Sequence, residues 1–346
     1  MTKVAAVDLF CGVGGLSHGL IKTGIDVLAG IDVDGSCRFS YEKNNSARFI
    51  ERDIGEVTGP EIKRFYPKRS IKVLAGCAPC QPFSTHTQKK IRREKDPKWK
   101  MLYSFRRLIK EVKPDIVTME NVVQLSNQVV FEDFIRALER HYYLSWKEVY
   151  CPDYGIPQVR KRLVLLASKL GPIELIPPTH LPSKYRTVRD AIGGLDPIED
   201  GESNLKDALH RASKLSSRNK KRIQRSTPGG TWHDWDKRLR APCHRKATGS
   251  TYVSVYSRME WDKPSPTITT QFNGFGTGRF GHPEQDRAIS IREGAMLQTF
   301  PKYYKLCDPE KEISFKRLGV HIGNAVPVKL GKIIGKSIIK HVKNNA

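Results

Sequence analysis

The sequence is poor in acids: 36 Asp and Glu stand against 60 Lys and Arg in 346 residues, a formal net charge of +24. A deficit of that size points to a polyanionic partner, nucleic acid ahead of a membrane surface. Long apolar runs are also missing, and no stretch of about 18 apolar residues or lipidation signal occurs, so a spanning or lipid-anchored chain is not expected. Cysteine is sparse. The seven, at 11, 37, 77, 80, 151, 243 and 307, are odd in number and lack the spacing of a disulfide framework. Cys77 and Cys80 form a lone C-x-x-C, but Pro79 lies inside it and no second pair follows, which argues against zinc. A thioredoxin-like redox pair stays open on spacing alone. Internal repeats and low-complexity tracts are absent. No signal-peptide pattern precedes the first apolar run, and a reducing, intracellular compartment is the expectation.

What is present is an alternation of short apolar runs and helical patterns. Strands are expected at 4–10, 27–31, 71–75, 115–119, 144–149 and 162–167, and helices at 16–23, 36–44, 101–112 and 131–141. Such alternation builds a mostly parallel α/β sheet covered on both faces. The rhythm stops after Gly171-Pro172 and resumes at 290–297, and a last helix at 328–342 carries lysines on one side and isoleucines on the other, a packing element.

Two apolar runs end in chemically capable residues. Cys80 follows the run at 71–75, wedged between Pro79 and Pro82, and proline geometry favours a stiff, extended loop there. Glu120 follows the run at 115–119. Thiol and carboxyl would then leave the same edge of one sheet, where open α/β folds bind ligands. A thiolate can add to carbon 6 of a pyrimidine, and a carboxylic acid at ring nitrogen 3 would ease that addition. A buried structural cysteine is the plainer alternative. Arg160 and Arg162, at the start of another strand, could grip a base carbonyl and a phosphate, or simply be surface arginines.

Phe10-Cys11-Gly12-Val13-Gly14-Gly15 follows the first strand and opens a helix. The glycines allow close approach of a ligand, but the spacing is not G-x-G-x-x-G, so the dinucleotide fingerprint is unmet. Asp32 lies 20 residues beyond Gly12, where an acid would hold a ribose, and Asp53 could sit beside an adenine at the end of a third strand. Together they suggest an adenosine-bearing cofactor without a pyrophosphate. Between 206 and 246, thirteen Lys or Arg face three acids, interleaved with Trp232, Trp235, His210, His233 and His244. That mixture suits a nucleic-acid surface, cations for phosphates and flat rings for bases, with a solvated basic face as the alternative.

Six blocks, DLFCGVGG (8–15), PCQPFS (79–84), MENV (119–122), QVRKR (158–162), IREGAMLQTFP (291–301) and HIGNAVPVKLG (321–331), occur in order and resemble the DNA cytosine-5 methyltransferases of short prokaryotic type. The likeness spans nearly the whole chain except about 172–260. It implies a Rossmann-like S-adenosylmethionine-dependent methyltransferase sheet with helices on both faces and a smaller, irregular target-recognition domain. The expected division is a catalytic and cofactor domain at 1–175, target recognition at 180–285, and a return to the catalytic domain at 290–346. By position, Cys80 resembles the family nucleophile, Glu120 the carboxyl on ring nitrogen 3, Arg162 the arginine on the cytosine carbonyl, and Arg160 a nearby backbone contact. Phe10, Gly12, Gly14, Asp32, Val33, Asp53, Ile54, Leu102, Asn324 and Ala325 match positions around S-adenosylmethionine. Gln81, Ser84, Lys89, Lys90, Arg92 and Arg93 match DNA contacts, with 85–100 resembling a loop that folds onto DNA. Asn324-Ala325 departs from the family's Asn-Ser, and Cys11 replaces a smaller residue. No metal is expected. The implied partner is double-stranded DNA, with a cognate restriction endonuclease acting separately, a monomeric state, and a cytoplasmic, nucleoid-associated location. A tRNA cytosine-5 methyltransferase of the same architecture is the alternative, disfavoured because its Cys-Phe-Thr element is not found.

Overall fold

The computed structural model describes residues 3–79, 99–312 and 314–346. These divide into two compact units, one within Met1–Tyr154, Lys161–Thr179 and Ala325–Ala346, the other within Gly155–Arg160 and His180–Asn324. The first unit opens with β1 (Lys3–Leu9), α1 (Gly15–Ile21), β2 (Asp26–Asp32), α2 (Arg38–Asn45), β3 (Arg48–Glu51), α3 (Gly59–Lys63), β4 (Ser70–Gly76) and α4 (Trp99–Val112). It continues with β5 (Ile116–Asn121), α5 (Val129–Glu139), β6 (Tyr143–Tyr150) and β7 (Lys161–Ser168). The strands form one sheet in the order β3-β2-β1-β4-β5-β7-β6.

All six strands expected from the apolar runs are present, and β3 adds the seventh. β1 to β5 run parallel, and from Val4 onward β1 is buried throughout, as a strand covered on both faces must be. β7 runs antiparallel to both β5 and β6, so the sheet is mixed at one side. From β1 the chain steps outward through β2 to β3, then crosses back to β4 on the other side of β1. That reversal places a crevice at the carboxyl ends of β1 and β4. Under it lies a core in which Leu102, Phe105, Leu108, Ile109 and Val112 of α4 meet Leu74, Val117 and Met119. Their spacing along α4 is that of one helical face.

The second unit holds α6 (Val188–Ile192), a two-stranded ribbon of β8 (Ser203–Asn204) and β9 (Asp207–Arg211), α7 (Ser217–Gln224), α8 (Ile291–Leu297) and α9 (Phe315–Asn324). The chain then returns to the first unit as α10 (Val328–Asn345). There Gly331 lies against Leu16 and Gly19 of α1, a backbone approach that a larger side chain would block. The compact units differ from the expected division: 155–160 and 290–324 group with the second unit. Helix α8, expected with the sheet, has its capping box and its Arg287 partner in the second unit instead.

Candidate active site

Beyond β1 the backbone turns through left-handed conformations at Phe10 (φ 59°), Gly12 (φ 50°) and Gly14 (φ 90°). Glycine meets this without cost at the last two, whereas Phe10 holds a conformation that side chains disfavour, a pattern concentrated at functional sites. The Gly12 amide donates to Asp32 Oδ2 at 2.8 Å and the Asp34 amide to Oδ1 at 2.9 Å, so one carboxylate ties the turn to the end of β2. Burial pushes the Asp32 carboxyl upward, while those two amides pull it down. The Arg52 amide donates to the Asp32 carbonyl, which brings Asp53 beside it. Asp53 Oδ1 accepts from the Gly55 amide at 2.7 Å. Val33 is 70% exposed beside these acids, an apolar surface next to two carboxylates. Ile54 and Leu102 belong to the core beneath, against which Phe10 packs. Phe10, Gly12, Gly14, Asp32, Val33 and Asp53 therefore line one rim of the sheet. Asn324 ends the second unit and Ala325 begins the return.

A polar knot that the sequence reading missed lies under this turn. Ser17 Oγ donates to Asp8 Oδ2 at 2.7 Å and meets the Tyr41 hydroxyl at 2.9 Å. Asp8 is fully buried, its Oδ1 has no hydrogen-bond partner among the described residues, and burial pushes its carboxyl up to about 7. The signal was available: an acid inside an otherwise apolar strand. Cys11 is buried, and burial, with Asp8 and Asp32 nearby, pushes its thiol well above the ordinary range, which disfavours the reactive thiolate.

The second half of the rim is built by β4, β5 and β7. Glu120 and Asn121 stand at the carboxyl end of β5, and the antiparallel β7 brings Arg162 alongside. Arg162 Nε lies 3.0 Å from Glu120 Oε1, an ion pair whose angle does not make a hydrogen bond. Cys77 Sγ donates to Glu120 Oε2 at 2.9 Å. Glu120 is only 3% exposed, yet its Oε1 has no hydrogen-bond donor among the described residues. Asn121 Nδ2 donates to the Ala78 carbonyl at 3.0 Å, and the Cys77 amide to the Leu9 carbonyl, so β5 and β1 both hold the segment leading to Cys80. Cys80, Gln81, Ser84, Lys89, Lys90, Arg92 and Arg93 lie outside the described residues.

In the second unit Arg160 differs from the expected phosphate contact. It is buried, and its guanidinium donates to the Ile268 carbonyl at 3.0 Å, the Gly323 carbonyl at 3.3 Å and Gln158 Oε1 at 3.3 Å. It braces two distant backbone segments and the Gln158 side chain. The ring half of the nucleic-acid surface is likewise corrected. Trp232, Trp235, His210 and His244 are buried, and only His233 is exposed. Trp232 is sandwiched in a small core, stacked 4.3 Å from His244, with its indole N–H donated to the Tyr252 carbonyl at 2.7 Å. A large ring gains more by leaving water than by waiting for a base. Most of the cations do remain outside: Arg218, Lys221, Arg225, Lys237, Arg238 and Lys246 are all exposed, whereas Arg222 is buried.

The family model described as C-5 cytosine-specific DNA methylase matches residues 4–340. Type II methylase M.HgiDII of Herpetosiphon aurantiacus is 56% identical over 338 residues, covering 96% of this chain and 94% of that protein. Type II methyltransferase M1.BsuMI of Bacillus subtilis (strain 168) is 32% identical, covering 96% and 79%. Among solved structures, a mutant of Spodoptera frugiperda DNMT2 shares the fold with a TM-score of 0.68 at 17% identity, covering 97% of this chain and 100% of that one. Among the described residues no helix is long and apolar enough to cross a membrane.

Proposed function

We propose that this chain, which belongs to the C-5 cytosine-specific DNA methylase family and is a DNA (cytosine-5)-methyltransferase, works through a covalent adduct between Cys80 and the target base. The base must leave the duplex, because its ring carbons are shielded within the stack. The Cys80 thiolate adds to carbon 6 of the cytosine. Glu120 in its protonated form donates to ring nitrogen 3, so that the electron pair driven through the ring leaves carbon 5 nucleophilic. Carbon 5 would take up a methyl group released from the donor's sulfonium sulfur, leaving S-adenosylhomocysteine; the carbon 5 proton then passes to a base, and the electron pair it leaves expels the cysteine thiolate to give 5-methylcytosine. Arg162 holds Glu120 and reaches the base carbonyl. The observation that carries this reading is the Glu120 carboxyl itself: nearly buried, held through Oε2 by Cys77, ion-paired through Oε1 with Arg162, and with no hydrogen-bond donor to Oε1 among the described residues. Buried polar atoms are seldom left so without a ligand to meet them.

S-adenosylmethionine, when bound, supplies an electrophilic methyl group. The rim fits such a group. Asp32 and Asp53 offer carboxylate oxygens for hydroxyl and amino groups, exposed Val33 and half-buried Phe10 offer apolar faces to a flat ring, and the glycine turn admits a chain close to the backbone. Double-stranded DNA is the substrate. The exposed cations of the second unit support its role in holding the duplex, and the type II names of the relatives are in keeping with a methylase that has a separate cognate restriction endonuclease. Cys80→Ala protein incubated with duplex DNA and a tritiated donor should incorporate no label, and continued incorporation would remove the adduct. Bisulfite sequencing of DNA from an expressing host should show one protected sequence.

A further inference from the structure

The first cysteine of the C-x-x-C pair is not absorbed by this mechanism, yet it touches the machinery. Cys77 lies just past β4, half-buried, and gives its S–H to Glu120 Oε2 at 2.9 Å. The opposite oxygen, Oε1, faces Arg162 Nε at 3.0 Å without a hydrogen bond. The two carboxyl oxygens are therefore not equivalent. Oε2 takes a hydrogen bond from a fixed donor, whereas Oε1 is ion-paired with Arg162 and has no hydrogen-bond donor among the described residues.

We propose that Cys77 is a positioning residue for Glu120: its thiol holds Oε2 and so presents Oε1 as the oxygen that meets the ring nitrogen of the cytosine, an inference that rests on the role given to Glu120 above. Two physical points favour this. A carboxyl at the end of β5 can turn about its terminal bond, whose torsion is broad and roughly two-fold, so side-chain packing alone does not choose between the oxygens. A donor from the end of the adjacent strand does choose, because a protonated carboxyl that accepts a hydrogen bond on its carbonyl oxygen must carry its O–H on the other oxygen. Cys77 is set for this by its own backbone, whose amide is bonded to the Leu9 carbonyl, and by the Asn121 side chain on the following carbonyl. The neighbouring Asn121 side chain thus fixes the segment, while Cys77 fixes the acid.

The experiment compares full-length Cys77→Ala, Cys77→Ser, Glu120→Gln and the Cys77→Ala/Glu120→Gln double variant in steady-state methyl transfer to duplex DNA. Thermal melting and equilibrium binding of S-adenosylmethionine confirm that each protein is folded. Cys77→Ala should lower kcat by about tenfold with KM for DNA nearly unchanged, as expected on losing one weak donor to a reacting group. Cys77→Ser keeps a donor at that position and should recover most of the loss. In the double variant the Cys77→Ala change should cost nothing further, since the carboxyl it orients is gone. An undiminished kcat in Cys77→Ala overturns the inference, and so does a Cys77→Ser protein, folded by the same measures, that is no better than Cys77→Ala. Full turnover in Glu120→Gln would instead remove the underlying role of Glu120, so the two failures are told apart.

Discussion

Arg162 Nε and Glu120 Oε1 stand 3.0 Å apart in a nearly dry setting, joined by an antiparallel register between β7 and β5. Breaking such a pair leaves a buried charge without compensation, which costs about 3–5 kcal/mol. Arg162→Ala should therefore lose both turnover and several degrees of melting temperature. Adding Glu120→Gln should restore much of the stability but none of the activity. Calorimetry of the two variants checks this, and an Arg162→Ala protein as stable as the parent would contradict it.

Glu120→Gln alone should reduce kcat by roughly 10²–10⁴, the span usual for removal of a positioned acid. Single-turnover methyl transfer at saturating DNA isolates that step from product release.

The second unit carries a buried cluster in which Arg287 grips both oxygens of Glu293 at 2.7 and 2.8 Å, with His282 close by. Burial pushes His282 down to about 4 from an ordinary 6.5, although Glu293 pulls the other way. Burial raises the Glu293 carboxyl, but the Arg287 guanidinium outweighs it and holds the group down at about 2. Between pH 6.5 and 4 the unfolded chain binds a proton at His282 that the folded one refuses, so stability should fall through that window on acidification. Stability from ionised Glu293 is present above the ordinary 4.5 and is lost as pH drops towards 2. Melting temperature followed against pH should show the first decline, and His282→Gln should flatten it.

Arg160 donates to backbone carbonyls at Ile268 and Gly323, so its replacement should act on folding before it acts on DNA. Arg160→Ala should destabilise the protein by about 2–4 kcal/mol, from hydrogen bonds to a charged group and carbonyls left bare. The slope of DNA affinity against salt should stay as it was. A slope smaller by about one would mark a phosphate contact instead.

Lys221 and Arg225 are the reverse case, exposed on and just after α7. Changing both to Gln should weaken DNA binding across sequences and lower the salt slope by up to about two, with little effect on melting temperature. Fluorescence anisotropy at several salt concentrations measures the slope directly.

The apolar runs that became β1, β2, β4, β5 and β7 could be read directly, because strands buried on both faces carry nearly unbroken hydrophobic sequence, whereas the edge strand β6 is largely exposed and more polar. Glu120 was legible for a related reason: an acid at the end of such a run is costly unless something uses it. Trp232 and Trp235 were misread. Basic neighbours suggested an open face, but ring orientation depends on Val255, Ala288 and Phe275, which come from distant parts of the chain. Arg160 went astray similarly, since the carbonyls it serves lie more than 100 residues away.

Residue order alone therefore determined the chemistry on offer: which segments must be buried, where an acid leaves the sheet, and a surplus of positive charge suited to a polyanionic partner. These follow from local hydrophobic period, backbone limits at proline and glycine, and summed charge, none of which needs distant contacts. Tertiary structure decided how the acid is held, by Cys77 on one oxygen and Arg162 on the other, and that the aromatic rings of the second unit are core. Both depend on which strands become neighbours and in which direction they run, and that is set by packing between segments far apart in the chain.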